Sequence, residues 1–125
     1  MAKRILIVDD SALMRRQIRQ ILEAQTDVEV CAEAMDGVEA VQKVAECHPD
    51  LVVLDILMPQ MNGFEATRKI KILAPKLPIL LFTLEKTPQV VEESRRAGAD
   101  AVLPKAQGSM HLSPVVLRLL HSAES

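Results

Sequence analysis

The sequence predicts a doubly wound α/β domain with five parallel strands in the order 2-1-3-4-5. Three observations carry this. Ile5-Leu6-Ile7-Val8, Leu51-Val52-Val53-Leu54 and Ile79-Leu80-Leu81-Phe82 are unbroken apolar runs without alternation, as expected of strands buried on both faces. Helix-start signals lie between the runs. Strand and helix patterns alternate five times along the chain, which implies right-handed crossovers on one parallel sheet. The 125 residues, 49% of them hydrophobic, suffice for one core, since a chain this size buries roughly two-thirds of its unfolded surface.

The elements follow in order. Residues 5–8 form the first central strand. Residues 11–25 carry Met14, Ile18, Ile21 and Leu22 at helical spacing, with Arg15, Arg16 and Arg19 on other faces. Val28-Glu29-Val30-Cys31-Ala32-Glu33 partly alternates and suits an edge strand. Asp36-Gly37-Val38-Glu39 and Asn62-Gly63-Phe64-Glu65 each set a capping oxygen three residues before a glutamate, opening the helices that flank the third strand. Thr87-Pro88 starts the fourth helix, with proline at its first position, and Gly98 stops it. Ala101-Val102-Leu103 is a short edge strand. Pro114 is expected at the first turn of the last helix, which is therefore placed from Ser113 and given about eight residues. Residues 1–121 are read as the domain and 122–125 as a tail or the start of a linker.

Composition narrows the function. Fifteen basic residues against 17 acidic ones give a net charge of −2, which argues against direct nucleic-acid contact. Only Phe64 and Phe82 are aromatic, too few for a base-stacking platform. No apolar run approaches the roughly 20 residues that span a bilayer. Cys31 and Cys47 lie in no metal-ligand or CxxC pattern and read as reduced thiols of a cytoplasmic protein. His48, His111 and His121 are scattered, and none falls near the expected site.

Open α/β sheets bind ligands beyond the carboxyl ends of their strands, where the strand order reverses. Here that point lies between strands 1 and 3. Strand 1 runs into Asp9-Asp10 and strand 3 into Asp55. Three carboxylates packed together repel and require a cation, and hard oxygen ligands suit Mg²⁺. Thr83 and Lys105 follow strands 4 and 5. With a metal, they make a cup for a tetrahedral oxyanion.

At these residues the chain resembles the receiver domain of two-component response regulators, a flavodoxin-like (βα)₅ fold. The likeness is carried by Val8-Asp9-Asp10-Ser11, by Asp55-Ile56-Leu57-Met58-Pro59-Gln60-Met61-Asn62-Gly63, by Thr83, and by Ala97-Gly98-Ala99-Asp100 leading to Pro104-Lys105. The resemblance implies that Asp55 is the phosphoacceptor for a sensor histidine kinase or a histidine phosphotransfer protein. It also implies Mg²⁺, replaceable by Mn²⁺, on Asp10, Asp55 and the Leu57 carbonyl, with Asp9 acting through water. Lys105 and Thr83 would contact phosphoryl oxygens. The switched surface would be helix 4, strand 5 and helix 5, acting on a partner or output domain, and the resemblance allows for a phosphorylation-dependent dimer. Such a domain phosphorylates only itself and is not a turnover enzyme.

Four positions depart from the family pattern. Val102 stands where an aromatic is usual. Leu84 replaces a small residue after the threonine and is expected to crowd the phosphoryl site. Ala106 follows Lys105 in place of proline, so that peptide bond is expected to be trans unless the phosphate site holds it cis. The last helix is expected to be short. Arg15, Arg16 and Arg19 read either as a solvated face or as a kinase-docking patch. Two rival enzymes or carriers fit worse. An aspartyl phosphatase wants Asp-x-Asp, but position 57 is Leu. A flavodoxin-like electron carrier wants a Ser/Thr/Gly-rich phosphate loop where Ser11-Ala12-Leu13-Met14 stands. A receiver-like interaction module that signals without phosphorylation is the remaining alternative.

Overall fold

The computed structural model describes residues 2–123. Five strands, β1 (Lys3–Val8), β2 (Val28–Ala34), β3 (Leu51–Leu54), β4 (Ile79–Thr83) and β5 (Ala101–Pro104), form one parallel sheet in the order β2-β1-β3-β4-β5. The helices are α1 (Ala12–Glu23), α2 (Gly37–Cys47), α3 (Gly63–Leu73), α4 (Pro88–Ala97) and α5 (Gly108–Ala123). A 3₁₀ turn, Lys105–Gln107, leads into α5.

The unbroken apolar runs are buried on both faces because alternate residues serve separate cores. Ile5 and Ile7 pack with Ile18 and Leu22 of α1 and with Leu112, Val116 and Leu120 of α5. Leu6 and Val8 pack with Ala40 and Val44 of α2 and with Ala66 and Ile70 of α3. This follows from the two-residue period of a strand.

The start signals work as expected. The Asp36 carboxylate accepts from Glu39 N at 2.8 Å. The Asn62 side-chain carbonyl accepts from Glu65 N at 2.9 Å, and the Thr87 hydroxyl from Val90 N at 3.1 Å. Gly98 ends α4 at φ 97°, a left-handed conformation that glycine adopts without strain.

The last helix differs from expectation. It begins at Gly108 rather than near Ser113 and runs 16 residues with Pro114 inside it. An interior proline costs about 3 kcal/mol. Burying Leu112, Val116 and Leu120 along one stripe contributes about 1.5–3 kcal/mol for each side chain, so packing outweighs the proline. Gly108 is required where α5 approaches β4, since a Cβ there would lie 2.6 Å from the Phe82 ring. The helix also takes in Ser122 and Ala123 of the expected tail, whose residues 124 and 125 lie outside the described part.

Among the described residues no helix is long and apolar enough to cross a membrane.

Candidate functional site

The carboxyl ends of β1, β3, β4 and β5 meet at one pole of the sheet. Asp9 and Asp55 are buried there, while Asp10 is exposed. One carboxylate oxygen from each of the three lies within 4.8 Å of the others. Asp9-Asp10 and Asp55 converge because β1 and β3 are adjacent and in register, with Val8 opposite Leu54.

Neither Asp9 nor Asp10 caps α1. That role falls to Ser11, whose hydroxyl accepts from Met14 N at 3.2 Å. Asp9 instead accepts from Ser11 N at 2.9 Å on one oxygen and from Lys105 Nζ at 2.8 Å on the other. Lys105 Nζ also lies 3.5 Å from Asp55 Oδ1. Asp55 is further held by Ile56 N, which donates to its Oδ1 at 2.8 Å. Burial first, and then the neighbouring Asp9 charge, push the Asp55 carboxyl above the usual carboxylate range, against the pull of Lys105.

One ammonium against three carboxylates leaves the pole acidic. A buried carboxylate already raised by a like charge needs a further cation for full ionisation. This donor set is all oxygen, with one exposed member, so it fits a hard, partly hydrated ion such as Mg²⁺.

Thr83 ends β4 and is 5% exposed. It pairs with Pro104, one residue before Lys105, so register alone brings the hydroxyl and the ammonium to the same pole. Leu57 sits in the loop after β3 with its side chain outward, 69% exposed.

Leu84 does not fill the site. It is 68% exposed and, with Leu57, Phe64 and Val90, rims an open crevice of about 430 Å³ beside Thr83. The expected crowding is therefore absent, because the backbone after β4 turns the side chain to the surface. The Lys105–Ala106 bond is trans, as are the other described peptide bonds. Val102 is half-buried and lines a cleft of about 260 Å³ with Lys86, Val91, Ser94 and Arg95, between α4 and β5.

Two supports of the site are not obvious in the sequence. Arg15 donates to the Asp9 carbonyl oxygen at 2.7 Å and to Glu33 at 2.9 Å. Arg19 donates to Glu33 through two nitrogens, at 2.7 and 3.0 Å. Burial pushes the Glu33 carboxyl up, but the Arg19 and Arg15 hydrogen bonds outweigh it and hold the carboxyl below its ordinary value. Two of the three arginines read as a surface patch are thus committed within the molecule, and Arg16 alone stays exposed. The second support is Gly63. Its N–H donates to the Ile56 carbonyl at 2.8 Å, and a Cβ there would lie 2.3 Å from the Asp55 carbonyl oxygen. Only glycine allows the start of α3 to press this closely on the strand end. His48, His111 and His121 are exposed and belong to no part of the site.

The chain belongs to the response regulator receiver domain family, whose model matches residues 5–116. These are the receivers of two-component systems. It is 42% identical over 105 residues to the chemotaxis protein CheY of Halobacterium salinarum, covering 84% of this chain and 86% of that one. It is 39% identical over 112 residues to a protein-glutamate methylesterase/protein-glutamine glutaminase of Pyrococcus abyssi, but spans only 30% of that protein's length and 88% of its own. Among solved structures it is similar to the response regulator domain of Thermotoga maritima CheB (TM-score 0.84, 35% identity, 98% of this chain and 96% of that one). It is also similar to a CheY-like receiver domain protein from Methanospirillum hungatei (TM-score 0.91, 31% identity, 99% and 98%).

Proposed function

We propose that this domain is a phosphorylation-controlled switch in which Asp55 accepts a phosphoryl group from the phosphohistidine of a sensor histidine kinase or a histidine phosphotransfer protein. The observation that carries this is the convergence of Asp9, Asp10 and Asp55 within 4.8 Å, with Lys105 between Asp9 and Asp55.

A carboxylate oxygen of Asp55 forms the new O–P bond while the N–P bond to the donor histidine breaks, and the imidazole leaves with the electron pair. Asp10, Asp55 and the Leu57 carbonyl would hold Mg²⁺, with Asp9 acting through a bound water. When bound there, the ion would supply charge neutralisation at the phosphoryl oxygens. Lys105 Nζ, 3.5 Å from Asp55 Oδ1, has a short path from Asp9 to a phosphoryl oxygen. The Thr83 hydroxyl donates to another. Transfer leaves about −1.5 to −2 charges and three acceptor oxygens on Asp55. This new charge competes with Asp9 for Lys105 and draws Thr83 inward. The loops after β4 and β5 then shift, and with them the surface of α4, β5 and α5 that a partner or output domain reads. Residues 1–121 are the unit proposed to carry this switch. It phosphorylates only itself.

Intact mass after incubation with Mg²⁺ and a small acyl phosphate, or with a phosphorylated histidine kinase, tests the proposal. The expected result is a hydroxylamine-labile phosphate adduct, absent in EDTA and in Asp55→Asn. No adduct from either donor would refute it and favour an interaction module that signals unphosphorylated.

A further inference from the structure

Asp10 is the least anchored member of the acidic pole. Its carboxylate is exposed and has no hydrogen bond or ion pair with any described residue. Its aim is therefore set by the backbone that carries it. Asp9, one residue back, is held at every polar atom. Its N–H donates to the Ala34 carbonyl at 3.1 Å. Its carboxylate oxygens accept from Ser11 N at 2.9 Å and from Lys105 Nζ at 2.8 Å. Its carbonyl oxygen accepts from Arg15 Nη1 at 2.7 Å. That carbonyl lies in the same rigid peptide plane as the Asp10 N–H, so the Arg15 bond fixes the plane from which Asp10 projects.

Arg15 is braced for this hold. It stands near the start of α1, where the helix dipole disfavours a cation, yet its side chain is only 17% exposed. Its Nε donates to Glu33 at 2.9 Å. Glu33 lies near the end of the edge strand β2, opposite Ile7, and is gripped in turn by two nitrogens of Arg19. The planar guanidinium fork serves a carbonyl and a carboxylate at once, whereas the flexible point charge of a lysine has no such fixed geometry.

We propose that Arg15 is a positioning residue for divalent-cation binding: it holds the Asp9–Asp10 peptide so that the Asp10 carboxylate faces the ion, with Glu33 and Arg19 as its brace. This rests on the reading of Asp10 as a direct Mg²⁺ ligand. Groups that orient metal ligands typically carry about 10–100-fold in metal affinity. The sign of the effect separates positioning from charge. Arg15 is a cation beside an acidic site, so by Coulomb's law alone its removal would tighten Mg²⁺ binding. Positioning makes its removal weaken binding.

The test titrates Mg²⁺ alone into the whole unphosphorylated chain and follows amide NMR shifts, so it needs no phosphodonor. Arg15→Met should raise the Mg²⁺ Kd about tenfold. Arg15→Lys keeps the charge but loses the fork, and its Kd should fall between the two. Glu33→Ala should weaken binding in the same direction, and adding it to Arg15→Met should cost little more, because the two act through one bond network. Leu112→Ala, whose damage lies in the α5 core, should keep the parent Kd while it stays folded. Two results would overturn the proposal: Arg15→Met binding Mg²⁺ as tightly as the parent or more tightly, or Leu112→Ala weakening binding as much as Arg15→Met. A parent that shows no Mg²⁺-dependent shifts, or shifts that persist unchanged in Asp10→Asn, would overturn the metal reading beneath the proposal, and the proposal with it. The adduct experiment on Asp55 stands apart from both.

Discussion

Replacing Asp55 by Asn should make the protein more stable in metal-free buffer at neutral pH. The Asp55 carboxylate is 6% exposed and has two carboxylates within 4.8 Å. At an effective dielectric constant of about 20, each such neighbour at 4.8 Å costs about 3.5 kcal/mol, and Lys105 at 3.5 Å offsets about 4.7 kcal/mol. Asp10 is exposed, so its share is screened. The Coulomb terms therefore nearly cancel, and burial of the ionised carboxyl, the larger cause of its raised pKa, sets the sign; removing the charge should gain on the order of 1–2 kcal/mol, and Asn keeps an oxygen for the Ile56 N–H. For a domain of this size the gain corresponds to roughly 3–6 °C in Tm. The sign with pH follows from the raised Asp55 pKa. The native state holds this proton more tightly than the unfolded chain, so the parent loses stability as pH rises from the ordinary carboxylate value through the folded one. Below that window the two proteins should converge. Thermal melts of both in EDTA between acidic and neutral pH measure this. Millimolar Mg²⁺ should raise the parent and narrow the gap, because only a binding native state is stabilised by mass action. An Asp55→Asn protein no more stable than the parent at neutral pH in EDTA would refute the claim that burial of a charged Asp55 beside Asp9 destabilises this pole.

Four further expectations follow from the geometry. Gly63→Ala sets a Cβ against the Asp55 carbonyl oxygen and should cost about 1–3 kcal/mol and slow phosphate incorporation; a parent-like melt and rate would show that the loop yields freely. Leu112→Ala should cost about 2–5 kcal/mol in urea unfolding, and a loss below 1 kcal/mol would mean that α5 is not held by its buried stripe. Glu33→Gln should cost under 1 kcal/mol, given the partial exposure of the pair. The parent's Glu33 carboxyl lies below its ordinary value, so its contribution is present above the ordinary carboxylate pKa and fades as pH falls through the folded one; urea midpoints of parent and variant should meet at acid pH. Leu84→Ala leaves the open crevice open, so phosphorylation by a small acyl phosphate should change less than threefold, roughly 0.6 kcal/mol or less of barrier; a larger change in the adduct rate would restore the crowding argument.

Much of the architecture is visible in local pattern. Ile5 to Val8, Leu51 to Leu54 and Ile79 to Phe82 are strands because a sheet covered on both faces leaves no position for a polar residue. Asp36, Asn62 and Thr87 start helices because each supplies an oxygen three residues before an unsatisfied N–H. The residues Asp9, Asp10, Asp55, Thr83 and Lys105 were legible as a group once the strand order was known, since each follows a strand that ends at the same pole.

Other features depend on partners distant in sequence. Pro114 reads locally as a helix start, yet α5 extends past it because Leu112, Val116 and Leu120 find the core made by Ile5, Ile7 and Phe82. Arg15 and Arg19 look like a free basic face until Glu33 of the neighbouring strand is brought against them. Leu84 looks obstructive by residue type, but the backbone turn after β4 directs it outward. The sequence by itself determined the elements and the residues at the strand ends, because capping, turn chemistry and two-residue periodicity act over a few bonds. Only the tertiary structure decided which charges are paired, which side chains face solvent and how far a disfavoured helix persists, because those depend on burial and Coulomb terms between segments tens of residues apart.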